Sequence, residues 1–68
     1  MTDKARQLLK TMASEYNQSS KNEFDSCFYL GYPKSVIYEL EENGFITRKN
    51  NIIGSIILTQ SGYEDAIR

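Results

Sequence analysis

The chain has no histidine, which removes the side chain best matched to proton transfer near neutral pH. Its four glycines are scattered, so no Gly-rich loop is present to cradle a phosphate. One cysteine, Cys27, excludes an internal disulfide, and no cluster of residues has metal-ligand spacing. There is no apolar run of about 18 residues and no charged-then-apolar leader pattern, so we expect no membrane contact and a reduced, cytoplasmic setting. The acidic pairs Glu41-Glu42 and Glu64-Asp65 are adjacent, and on a helix adjacent side chains diverge by about 100°. They do not converge on one substrate atom. Together these absences argue against an enzyme, and we expect no cofactor.

Charge of one sign is also lacking. Eight Lys/Arg against nine Asp/Glu leave a net charge of −1, which is neither the signature of a disordered chain nor that of a strongly basic nucleic-acid binder. The 68 residues suffice for one domain, spanning 1–68, and a chain of this size buries only about 60% of its unfolded surface.

What is present is periodicity. After Thr2 or Asp3 as N-cap, Ala5, Leu8, Leu9, Met12, Ala13 and Tyr16 follow helical spacing along one apolar face. The polar residues 17–20 are read as a connector. Ser20 and Glu23 then have the form of a capping box, which predicts a second helix over 21–30 with Phe24, Cys27 and Phe28 inward. On that face Cys27 is expected to be a small buried hydrophobe, and Tyr29 and Tyr32 half-buried packing. Gly31 suits the left-handed end of a helix, and Pro33 the first turn of the next.

From Pro33 the third helix carries Val36, Ile37 and Leu40 inward, with Lys34, Ser35, Tyr38, Glu41 and Glu42 on the opposite side. Gly44 stops it. Residues 45–49 and 52–59 read as the two strands of a hairpin turned at Asn50-Asn51, since asparagine tolerates positive φ. Ile52, Ile53, Ile56, Ile57 and Leu58 supply apolar side chains to both faces of the second strand. That pattern requires cover on both sides, from this chain or from a second copy, and we favour the second copy. Thr59 caps a short final helix whose Tyr63, Ala66 and Ile67 return to the core.

The stretch Leu40-Glu41-Glu42-Asn43-Gly44-Phe45-Ile46-Thr47-Arg48, followed by Leu58-Thr59-Gln60-Ser61-Gly62, resembles the winged helix-turn-helix regulators of bacteria and phages. It is similar in particular to the multiple-antibiotic-resistance and PadR-like groups, over residues 20–67. The resemblance implies a small α+β winged-helix domain: three helices, a two-stranded β-hairpin wing and a short C-terminal helix. It implies a DNA-binding transcription regulator, a homodimer through the apolar hairpin or the first helix. Lys34, Ser35 and Tyr38 would enter the major groove of double-stranded DNA. Arg48, Lys49, Asn50 and Asn51 would rest the wing on phosphates. The sequence departs from that family in a recognition helix about one turn short, and no dimerisation helices fall within these 68 residues.

Charge divides along the same line. Residues 30–46 hold one base (Lys34) and three acids (Glu39, Glu41, Glu42), while residues 47–58 hold two bases (Arg48, Lys49) and no acid. The wing favours DNA and the far end of the helix opposes it. The run Glu39, Glu41, Glu42 reads as a solvated face, or as a patch for a basic protein. The alternative to a DNA-binding regulator is therefore a winged-helix module that binds a protein partner.

Overall fold

The structure is a computed structural model that describes residues 1–49 and 55–68. Helix α1 (Asp3–Ser19) begins at the expected cap, where the Thr2 hydroxyl accepts the Ala5 backbone N–H at 3.3 Å. Ala5, Leu8, Leu9, Met12 and Ala13 are buried, as their spacing requires. The helix runs through most of the polar stretch read as a connector. It closes at Ser20, whose left-handed backbone (φ 58°) returns its N–H to the Tyr16 carbonyl at 2.7 Å.

The largest departure from the sequence reading comes next. Ser20 and Glu23 form no capping box, and residues 21–30 form no helix. Glu23–Phe24 is instead a short strand, β1, and tight turns follow it, closed by Phe28 N–H to the Asp25 carbonyl (3.1 Å) and Tyr32 N–H to the Tyr29 carbonyl (3.0 Å). Two forces explain the change. The segment Asp25-Ser26-Cys27-Phe28-Tyr29 is made of residues that lose rotamer freedom or compete for backbone bonds in a helix. Pairing with a distant strand also satisfies the backbone while burying Phe24 to 1% exposure. Phe28 still faces inward, its ring centroid 4.4 Å from that of Phe24. With no helix to turn it in, Cys27 is exposed, and Gly31 does not take the left-handed angles of a helix end. Tyr29 and Tyr32 are half-buried, as expected.

Helix α2 (Lys34–Glu42) has Pro33 as its N-cap rather than in its first turn, and it buries Val36, Ile37 and Leu40. Gly44 ends it with φ 75°. Its N–H bonds the Glu41 carbonyl and that of Phe45 bonds the Leu40 carbonyl, both at 3.0 Å, the paired closure of a Schellman turn.

Strands β2 (Ile46–Arg48) and β3 (Ile56–Leu58) complete a three-stranded antiparallel sheet in the order β1-β3-β2, so the expected two-stranded hairpin gains a third strand. Ile56 lies opposite both Phe24 and Arg48, and Ile57 opposite both Glu23 and Thr47. The apolar second strand is thereby accounted for in part. It is the central strand, with Ile56 and Leu58 buried in the core and Ile57 half-buried on the outer face. Asn50, Asn51, Ile52 and Ile53 lie outside the described residues.

Helix α3 (Gln60–Ile67) starts as expected, with the Thr59 hydroxyl accepting the Gly62 N–H at 3.1 Å. The same hydroxyl donates to the Gly44 carbonyl at 2.7 Å, seating α3 on the turn that ends α2. Among the described residues the helices therefore number three, the C-terminal one included, and not three plus a fourth. Tyr63 packs against Tyr16 of α1 with centroids 5.1 Å apart and donates its hydroxyl to Asn17 at 2.5 Å. Tyr63 and Ala66 reach the core, whereas Ile67, expected inside, is 57% exposed. Among the described residues no helix is long and apolar enough to cross a membrane.

Candidate nucleic-acid interface

Register decides where Arg48, the last residue of β2, and Lys49, just after it, direct their side chains. Arg48 shares a sheet face with Ile46, which is buried, so its side chain leaves on the core side and runs out over α2. There its Nε donates to both carboxylate oxygens of Glu41, at 3.2 and 3.3 Å, and its guanidinium lies 5.5 Å from the centre of the Tyr38 ring. The hydrogen bond to Glu41, and then the attraction between the two charges, raise the Arg48 pKa above its ordinary value. Arg48 stays charged throughout the working pH range. Lys49 emerges on the other face, that of Thr47 and Ile57, and reaches across the central strand to Glu23 at 2.7 Å.

The exposed side of α2 adds Lys34 and Ser35 at its start and Tyr38, which is 52% exposed, one turn on. Four of the seven expected site residues thus have a shared setting: Lys34, Ser35 and Tyr38 on one helix surface, and Arg48 laid against it. Lys49 belongs to the opposite face of the sheet, and Asn50 and Asn51 lie outside the described residues. The surface presents an ammonium, a hydroxyl, a phenol and a guanidinium, all groups that can donate to phosphate oxygens or base edges.

Sequence reasoning missed the carboxylates. Glu41 and Glu23 hold Arg48 and Lys49, and Glu39 accepts the Thr2 N–H at 2.7 Å and the Thr2 hydroxyl at 3.0 Å, fastening α1 to α2. The acidic run is therefore more than a solvated face. Both ion pairs are exposed, with side chains 37–43% accessible, and exposed pairs exchange partners at little cost. No family model, curated protein or solved structure matches this chain.

Proposed function

We propose that this chain is a small winged-helix DNA-binding regulator in which α2 enters the major groove and the β2 edge lies along the backbone. The observation that carries the reading is the convergence of Lys34, Ser35 and Tyr38 on the open face of α2 with Arg48 laid over the same face. The element order supports it too: a helix, a short strand, a turn-rich connection, a helix, then two strands, with the last one central in the sheet. In this arrangement the groove-facing helix and the strand beside it approach one duplex from the same side. A homodimer would set two such helices about one helical turn apart on DNA.

One observation favours the alternative, a protein-binding module. The β2 cations are neutralised within the chain, and Leu30 stands 81% exposed in the turn before α2. The experiment that separates the readings is fluorescence anisotropy of a labelled mixed-sequence duplex at several salt concentrations. The DNA reading requires binding that weakens steeply with salt, because displaced counterions leave a slope. It also requires that Arg48→Glu with Lys49→Glu abolish binding while circular dichroism stays unchanged. Absence of binding by the parent at low salt would refute it and leave the protein-binding module.

A further inference from the structure

Half of the basic residues outside the ion pairs of the described residues gather away from the β2 edge. Among the described residues the ion pairs are Arg48–Glu41 and Lys49–Glu23, so Arg6, Lys10 and Arg68 are in neither. These three surround one concavity of about 180 Å³ between α1 and the end of α3, floored by Leu9 and Ala66 and walled on one side by Asp65.

The chain brings them there for definite reasons. Arg6 and Lys10 are four residues apart on α1 and so stand on one stripe, where like charges repel and weaken the helix. Arg68 arrives from α3, its backbone fixed by an N–H bond to the Asp65 carbonyl at 3.4 Å. Asp65 is the one carboxylate in the wall, and it forms no ion pair with any of the three. Three cationic side chains there face one side-chain carboxylate, in a protein whose net charge is −1.

We propose that this concavity is a binding site for a phosphate group, distinct from the α2 surface. Arg6 and Arg68 supply guanidinium forks, which match the spacing of two phosphate oxygens, and Lys10 supplies a point charge. A phosphate also removes the repulsion between Arg6 and Lys10. The recognised chemistry is the tetrahedral oxyanion, carried either by a free phosphate or phosphomonoester or by a nucleic-acid backbone.

The test is an NMR titration of the full chain, following the arginine Nε–H and the backbone amide signals. One arm adds inorganic phosphate against chloride at constant ionic strength, and a second adds a short DNA duplex. The site predicts saturable shifts at Arg6 and Arg68 in at least one arm. The Arg6→Gln, Lys10→Gln double variant should weaken binding by about tenfold or more through loss of charge-assisted bonds. Both side chains are exposed and mutually repulsive, so that variant should unfold no earlier than the parent. Saturation by phosphate alone identifies a small-molecule source, and saturation by duplex alone a backbone phosphodiester. Shifts in neither arm, or equal shifts at Lys4, Lys21 and Lys34, overturn the site. Duplex-induced shifts confined to α2 and Arg48 would also overturn it, while leaving the DNA reading intact.

Discussion

Replacing Gly62 by alanine should destabilise the fold, although it puts a better helix former inside a helix. Gly62 is buried in the first turn of α3, and a methyl group built there runs into the Phe45 carbonyl oxygen and comes within 3.0 Å of the Leu58 side chain. The obstacle is backbone, so it cannot swing aside as the end of a flexible side chain would. Overpacking of this kind costs about 1–3 kcal/mol. The displaced carbonyl also accepts the Thr59 N–H at 3.0 Å, and losing that bond costs about 0.5–1.5 kcal/mol more. Alanine returns about 0.8–1 kcal/mol through its helix propensity. The net is a loss of about 2 kcal/mol, which for a domain of this size lowers Tm by about 8–16 °C. Thermal unfolding followed by circular dichroism measures it, with exposed Ser61→Ala as a control expected to stay within about 0.5 kcal/mol. A Gly62→Ala Tm equal to or above that of the parent would refute the close contact between α3 and the turn after α2.

Gly44→Ala places a side chain at φ 75°, where the left-handed backbone costs an L-residue about 1–2 kcal/mol. The urea midpoint should fall with an unchanged m-value, and an unmoved midpoint would contradict the closure assigned to α2. Glu41→Gln frees Arg48 from its carboxylate and removes one negative charge from the α2 surface. Duplex affinity should rise, and the slope of log affinity against log salt should steepen by up to about 0.9 for one added phosphate contact. An unchanged slope would mean that Arg48 does not reach the backbone.

The parts of the fold legible in the sequence are those written locally. The apolar stripes of α1 and α2, the Thr2 and Thr59 caps and the Gly44 stop each depend on residues within a turn or two of one another. Strand β1 depends on Ile56 and Ile57, more than thirty residues away, and no local pattern announces that pairing. The Ser20/Glu23 spacing was a genuine helix signal, overridden because a third strand buries Phe24 and satisfies backbone that a short helix of poor formers would leave weak. The apolar second strand misled for the same reason. The two-sided apolar pattern pointed to a second copy, whereas in the central strand Ile57 stands between Glu23 and Thr47 of its neighbours and is already half-buried.

Motif residues that looked separate in the sequence turn out to be one structural unit. Gly44 and Phe45 receive the Thr59 hydroxyl and the Thr59 N–H, and Gly62 lets α3 settle on the Phe45 carbonyl. The spacing between Gly44-Phe45-Ile46 and Leu58-Thr59 through Gly62 therefore encodes the docking of α3 against the end of α2 and carries no ligand chemistry of its own. The candidate site was less legible, because counting charge by segment ignores partners across elements. Arg48 and Lys49 looked like the free cations of the chain, yet the sheet register sends each to a carboxylate on a different face. Arg6, Lys10 and Arg68 carry no local motif, and the packing of α3 on α1 gathers them around one concavity. Electrostatic steering of a polyanion can therefore begin from α1 and the end of α3 as well as from Lys34, and it engages Arg48 and Lys49 only by displacing Glu41 and Glu23.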